Sequence, residues 1–204
     1  MIKGSEVLVA IDQGQIYDTQ ISTAEVYLPP HSNKLRVNAK LAGPAADGRK
    51  VLLTAPTKEY LGEEFASWQL SGKARTMLDL NIDLKQADKS RIRVATELKD
   101  ALYASKALDL SFQELNGSIR YHEAKGLSSG PLKGRFMGQA VSARISTQNS
   151  GDGSRTQVEA SGNIEVKRLN QRLNQSVLEL FEGQTNFQAN LDICTTSPDC
   201  SRLS

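Results

Sequence analysis

The fold is decided by the stretch from Leu115 to Ile145, which reads LNGSIRYHEAKGLSSGPLKGRFMGQAVSARI. Apolar and polar residues alternate from Leu115 to His122, which is the period-two pattern of a strand with one apolar face. Lys125-Gly126 and Met137-Gly138-Gln139 have the composition of turns. Gly130-Pro131 interrupts the middle strand, because proline has no N–H to donate to a ladder. The stretch therefore predicts an antiparallel meander with one apolar face.

The same alternation recurs along most of the chain. Apolar residues take every second position from Leu35 to Leu41, from Leu78 to Leu84 and from Phe187 to Ile193, and turn-forming residues separate the runs. Asp47-Gly48 predicts a turn that leads into a further strand over Val51 to Leu53. The chain is therefore predicted to be mainly β, with one antiparallel strand following another.

Two segments have the spacing of helices instead. Apolar residues recur at intervals of three and four from Thr57 to Trp68 and again from Val166 to Phe181, and Gly183 follows the second segment. We predict two short amphipathic helices, which plug or edge the sheet with their apolar stripes turned inward.

A helix, a glycine and a long strand occur in this order twice. Leu70-Ser71-Gly72 and Phe181-Glu182-Gly183 stand at this junction, 111 positions apart. The recurrence predicts one repetitive β domain, residues 1–204, with approximate modules 1–84 and 85–204. Such strands can close as a barrel, pair as a sandwich or remain one long sheet curved into an open groove with an apolar concave side.

Composition and charge exclude several classes of protein. The 204 residues include 25 Lys or Arg and 23 Asp or Glu, and the basic residues are spread singly, so we expect no nucleic-acid partner. No apolar run reaches the ~18–20 residues of a membrane span, and Met1 is not followed by a signal peptide. His31 and His122 are isolated and no catalytic motif is present, so we expect no enzyme, no metal site and no cofactor.

The two cysteines lie close together near the C-terminal end. Cys194 and Cys200 flank T-T-S-P-D, in which Pro198-Asp199 favours a turn. A disulfide between them is predicted and fits an oxidising compartment, whereas the other interpretation is two free thiols.

Three segments carry a resemblance to a known family. They are the pattern L-N-G-x-I-x-Y-x-x-x-x-G-L-S-S-x-x-L-x-G-x-x-x-G-Q-x-V at Leu115 to Val141, L-E-L-F-E-G-Q-T-N-F-Q-A-N-L-D-I at Leu178 to Ile193, and L-A-G-P-A-A-D at Leu41 to Asp47. In order and spacing they resemble the central region of the YhdP-like members of the AsmA-like family of Gram-negative envelope proteins. The resemblance covers most of the chain.

The resemblance implies lipid transport in outer-membrane biogenesis. Such proteins are anchored in the inner membrane and extend a long β-groove through the periplasm, along which phospholipid acyl chains slide between the inner and outer membranes. This chain lacks the anchor, so we expect an internal fragment whose partners are acyl chains and the rest of a longer, membrane-anchored chain. The alternative is a structural or assembly module of the envelope with a closed core and no lipid cargo. Such a module requires the same alternation of apolar and polar residues, so the pattern is compatible with both functions.

The candidate groove-lining residues are the alternating apolar positions of these strands. They are Val37, Ala39, Leu78, Leu80, Ile82, Ile119, Tyr121, Phe136, Val141, Ala143, Val158, Phe187 and Leu191.

Overall fold

Strands make up nearly all the regular structure. The structure is a computed structural model that describes residues 6–54, 68–106, 109–150, 153–167, 182–194 and 202–203. Its strands are β1 (Val7–Ile11), β2 (Gly14–Ile16), β3 (Thr19–Leu28), β4 (Lys34–Pro44), β5 (Trp68–Asp83), β6 (Arg91–Ser105), β7 (Leu110–His122), β8 (Gly126–Ser129), β9 (Leu132–Phe136), β10 (Gln139–Ser150), β11 (Gly153–Glu165), β12 (Gln184–Cys194) and β13 (Arg202–Leu203). A helix, α1 (Ala45–Thr54), follows β4, and a 3-10 turn at Ala87–Lys89 joins β5 to β6.

These strands form one antiparallel sheet. Its order is β1-β3-β4-β5-β6-β7-β8-β10-β11-β12-β13, with β2 paired to β3, and β9 paired to both β7 and β10. Within the described strands, β1 and β13 stand at opposite ends of this order and do not pair with each other. The prediction of a mainly β, antiparallel fold is confirmed, and the described strands form an open sheet instead of a closed barrel or a two-sheet sandwich.

The meander predicted from Leu115 to Ile145 is confirmed. Residues 123–125 form the first turn, and Gly130 and Pro131 separate β8 from β9. Met137 and Gly138, with φ of 51° and 77°, form the two-residue turn between β9 and β10. Local turn chemistry therefore sets the register of this part of the sheet.

The strand predicted over Val51 to Leu53 is wrong, because α1 occupies these positions. Pro44 ends β4 and is compatible with the start of a helix, and the segment that follows is rich in residues that favour helices. The Asp47 carboxylate does not make a local turn. It accepts hydrogen bonds from the Asp18 N–H and the Thr19 hydroxyl, both at 2.9 Å, and so docks α1 on the β2–β3 turn.

Most of the two predicted helices lies outside the described residues. Of the first, Thr57 to Trp68, only Trp68 is described, and it begins β5 instead of ending a helix. Of the second, Val166 and Lys167 are helical and the remaining positions are not described.

The repeated junction has one backbone feature in common. Gly72 and Gly183 both have positive φ, 88° and 106° respectively. Gly72 lies within β5 at a shift of its register with β6, whereas Gly183 precedes β12. The division into modules 1–84 and 85–204 stays a prediction.

Candidate functional site

All thirteen candidate residues lie on one face of the sheet. Directly opposed residues of antiparallel strands share a face. Val37 on β4 is opposed to Leu80 on β5, so both lie on the same face, and the pairing of each further strand extends this face to β12. Opposed pairs along this path include Ala39 with Leu78, Leu78 with Val94, Val94 with Tyr121, Ile145 with Val158, Ala143 with Ala160, Val158 with Leu191 and Gly162 with Phe187. We call it the apolar face.

Much of the apolar face is not covered by protein. Of the thirteen residues, Ala39 and Val141 are buried, Tyr121 is 38% exposed and the other ten are partly exposed. The sheet therefore keeps in contact with solvent apolar side chains that an ordinary core would enclose.

Fully buried residues concentrate toward one end of the strands, and on this basis we divide the apolar face into two halves. The packed half lies at the strand ends nearest α1 and the β6–β7 and β9–β10 connections. It contains, or borders on, the buried apolar residues of the described chain, which are Ile21, Ala39, Ala45, Ala101, Leu115, Leu132, Val141, Ala160, Ile164 and Val166. The open half lies at the opposite strand ends.

Five aromatic rings form a row across the packed half. Successive ring centroids are 5.1 Å apart from Trp68 to Tyr103, 6.4 Å to Phe112, 5.2 Å to Phe136 and 6.2 Å to Phe187. Sequence reasoning named Phe136 and Phe187 but not the other three as lining residues. Trp68, Tyr103 and Phe112 share one feature that could have identified them: each is an aromatic residue close to the end of a strand that has an apolar face.

Glycines make room for the side chains of the packed half. A Cβ added at Gly162 would lie 2.7 Å from the Ala140 carbonyl oxygen and 3.2 Å from the Phe187 ring. A Cβ at Gly134 would lie 2.7 Å from the Leu115 side chain. Large side chains therefore lie directly over backbone that has no side chain of its own.

The open half has regular strands. The register of β4 with β5 is continuous from Lys34 to Pro44, and the shifts between β5, β6 and β7 all fall toward the packed half. The side chains of this half are partly exposed and stand side by side. They include Leu35, Val37, Leu78, Leu80, Ile82, Ile92, Val94, Ile119, Tyr121 and Leu127.

Hydroxyl groups on the apolar face bond to one another. Thr76 and Thr96, opposed on β5 and β6, have their hydroxyl oxygens 3.1 Å apart. Thr147 and Thr156, opposed on β10 and β11, have theirs 2.8 Å apart. The two hydroxyl groups of each pair bond to each other, so they need fewer hydrogen bonds from water on an otherwise apolar surface.

A buried carboxylate fixes α1 at the packed end. The Asp47 residue is 2% exposed, and besides Asp18 and Thr19 it receives a hydrogen bond from Lys50 Nζ at 2.9 Å. The Lys50 ammonium lies 5.1 Å from the centre of the Tyr17 ring. The Lys50 hydrogen bond, with those from Thr19 and Asp18, holds the pKa of Asp47 below its ordinary value despite burial.

Other features of the described chain concern metals, membranes and the cysteines. Within the described ranges, no group of three or more His, Cys, Asp or Glu residues is placed to hold a metal ion. In the same parts of the chain, no helix combines the length and apolarity needed to traverse a bilayer. Cys200 lies outside the described residues, so its disulfide with Cys194 stays a prediction.

The fold and the site define a class of protein: an open antiparallel sheet with one continuous, partly exposed apolar face. The comparison with protein families then places the chain within it. The family model described as YhdP protein matches residues 1–200, so the chain belongs to the YhdP family. Searches of curated proteins and of solved structures found no match.

Proposed function

We propose that this chain is a segment of a hydrophobic β-groove that carries phospholipids between the inner and outer membranes of a Gram-negative envelope. In this proposal the segment lies in the periplasm, within a longer protein anchored to the inner membrane. Its partners are phospholipid acyl chains and the neighbouring parts of that protein. The observation that carries the proposal is the apolar face, which is continuous over the sheet and partly exposed.

The chemistry of a lipid explains why such a face is needed. Each methylene transferred from water to an apolar surface gains about 0.8 kcal/mol, so two acyl chains cross an aqueous space only while they stay on apolar surface. Leu80, Ile82 and Val94 offer such a surface without specific polar contacts, which allows a chain to slide. Membership in the YhdP family supports this assignment.

Ring contacts in the packed half support the groove shape. Phe136 on β9 and Phe187 on β12 are separated by three strand spacings, about 14 Å in a flat sheet. Their ring centroids are nevertheless 6.2 Å apart. A sheet that is concave toward this face brings the rings together, and Gly162 leaves the space between them.

The proposal assigns no catalytic role to the chain. His122 Nδ1 accepts a hydrogen bond from the Ala124 N–H at 3.1 Å, which gives this ring a function in the β7–β8 turn. His31 lies in the exposed turn before β4. Asp79 faces Arg93 at 3.8 Å on the polar face of the sheet.

The second candidate is an assembly module without lipid cargo. It is favoured by the packed half alone, where Ile164 is 1% and Ala101 2% exposed, as in an ordinary protein core. This candidate requires that a protein partner covers the open half, and it predicts that no lipid accompanies the purified chain.

Native mass spectrometry with lipid extraction tests the proposal on chain purified from a bacterial periplasm. Phospholipid is expected to accompany the native chain. It should be lost when Leu80 and Ile119, both on the apolar face, are changed to Asp. The matched control is Met77→Asp, because Met77 is 57% exposed on the opposite face of the same strand as Leu80. Circular dichroism verifies that each variant retains its strands.

Two results would contradict the proposal. A stable native chain without lipid would favour the assembly module. Equal loss of lipid from Met77→Asp and from the apolar-face variant would mean that lipid adheres without preference for the apolar face.

A further inference from the structure

The open half ends at a rim rich in lysine and arginine. Three connections lie side by side there: residues 29–33, 84–90 and 123–125. Leu84 N–H donates to the Asn33 carbonyl at 2.8 Å, and Glu123 N–H donates to the Ile92 carbonyl at 3.1 Å. We call these connections, with the first residues of β4 and β6 and the last residue of β5, the basic rim. Its exposed cations are Lys34, Lys85, Lys89, Arg91 and Lys125.

Two of the three carboxylates of the basic rim hold its backbone in place. Asp83 accepts hydrogen bonds from the N–H groups of Lys85 and Gln86, both at 3.0 Å. Glu123 accepts one from the Ile92 N–H at 3.0 Å. The third, Asp88, is exposed in the 3-10 turn. The five cations therefore outnumber the carboxylates, and none of them has an ion pair within 4.0 Å to another residue that the structure describes.

The rim beside the packed half has a different charge. Its described connections, including α1, carry acidic and basic residues in equal number. The acidic ones are Asp18, Asp47, Asp109 and Glu182, and the basic ones are Arg49, Lys50, Lys106 and Lys167. The excess of positive charge therefore lies beside the open half of the apolar face and not beside the packed half.

We propose that the basic rim binds the phosphate of an anionic phospholipid whose acyl chains lie on the open half. This inference rests on the proposed function and adds an orientation and a headgroup preference to it. The basic rim complements a negatively charged headgroup, and the open half complements the acyl chains attached to it.

The length of a lipid agrees with this placement. The hydrocarbon core of a bilayer is about 30 Å thick, so one tail extends about 15 Å. Along a strand this equals about four or five residues at ~3.3 Å each. A tail that starts at Ile82 therefore ends near Leu78 and leaves the aromatic row of the packed half uncovered.

Binding of two lipids with identical acyl chains tests the headgroup preference. The probes are phosphatidylglycerol, which is anionic, and phosphatidylcholine, which is zwitterionic. The rim variant combines Lys34→Gln, Lys85→Gln and Lys89→Gln. The control combines Lys40→Gln, Lys73→Gln and Lys99→Gln, which remove the same charge from exposed strand positions outside the basic rim.

We expect the native chain to prefer phosphatidylglycerol and the rim variant to bind it about tenfold more weakly, since three exposed charge contacts are removed. Binding of phosphatidylcholine should change less than about twofold in both variants, because its choline cation offsets the negative charge of its phosphate. Raising the salt concentration should reduce the preference of the native chain, because exposed charges are screened.

Brominated acyl chains locate the lipid, because bromine quenches tryptophan fluorescence on contact. Trp68 is the single tryptophan and lies in the packed half. The native chain should therefore be quenched weakly. A variant that combines Trp68→Phe with Leu80→Trp places the fluorophore in the open half and should be quenched strongly.

The possible failures are distinguishable. Equal affinity of the native chain for the two lipids, or equal weakening in the rim and control variants, would overturn the orientation and leave the carrier function standing. Stronger quenching at Trp68 than in the Leu80→Trp variant would also overturn it. Failure of both lipids to bind the native chain would overturn the carrier function itself.

Discussion

The packed and open halves of the apolar face consist of the same strands and similar residues, yet only one resembles a protein core. In the packed half, register shifts, glycines and aromatic rings bring side chains over one another. In the open half the strands are regular, and side chains such as Leu80 and Ile92 are partly exposed. Alternation along a strand thus determines which face a residue joins, whereas bulges, which bend and twist strands, govern how deeply it is buried.

The largest expected effect compares one substitution in both halves. Leu132→Ala in the packed half, where Leu132 is 5% exposed, should lower the free energy of unfolding by about 3 kcal/mol, because it leaves a cavity. Leu80→Ala in the open half should lower it by about 1 kcal/mol, because the site was already partly hydrated. Urea denaturation measures both, and equal losses would contradict the division into halves.

A glycine substitution sharpens the comparison further. Gly162→Ala should destabilise the chain by about 1–3 kcal/mol, since the new methyl group would overlap the Ala140 carbonyl. The control is Gly48→Ala in α1, where a Cβ meets no atom within 4 Å. There the substitution should stabilise by about 0.5–1 kcal/mol through helix propensity. A harmless Gly162→Ala would mean that the Phe187 side of the packed half is loosely packed.

Acid should weaken the packed end by releasing α1. Lys50, Thr19 and Asp18 lower the pKa of Asp47, whose ordinary value is 3.8. The stability contributed by this carboxylate is therefore present above that value and is lost as the pH falls through the lower pKa of the folded state.

Thermal unfolding of the native chain and of Asp47→Asn measures this effect. The native chain should be the more stable near neutral pH, and the difference should shrink below about pH 4. Asp79→Asn, which removes a carboxylate from the exposed polar face, is the control. A difference that persists unchanged into acid would contradict the role given to Asp47.

The smallest effect concerns the hydroxyl pair on the apolar face. Thr76→Val or Thr96→Val alone should lower stability by about 1 kcal/mol, because the remaining hydroxyl loses its partner. The double variant should return close to the native value, since no unpaired group is left. A double-mutant cycle by urea denaturation checks this, and purely additive losses would indicate that water already satisfies each hydroxyl.

The sequence was sufficient to predict the face of the sheet. Antiparallel partners pass a face from strand to strand, so alternation around Val37, Leu80 and Val158 assigned thirteen residues to one surface although they lie far apart in sequence. The meander followed from local turn residues such as Gly130 and Pro131. Both depend on neighbouring positions, which is why pattern alone identified them.

Other features depend on contacts that no local pattern contains. The helix α1 is fixed by hydrogen bonds from Asp47 to Asp18 and Thr19, which are 29 and 28 positions away. The boundary between the halves coincides with Asp100 and Glu114, which adopt φ near 50° without being glycine. Glu does not favour this conformation and most Asp residues do not adopt it, so the packed half could not be distinguished from the open half in advance.

The open topology also makes the length of the apolar face proportional to the number of strands. Neighbouring strands are about 4.8 Å apart, so the eleven strands in the main order of this sheet extend roughly 48 Å along the apolar face. A closed barrel grows wider as strands are added, whereas an open sheet grows longer and keeps its cross-section. In the proposed carrier, duplication of hairpins would therefore lengthen the apolar face without altering the surface that meets the lipid.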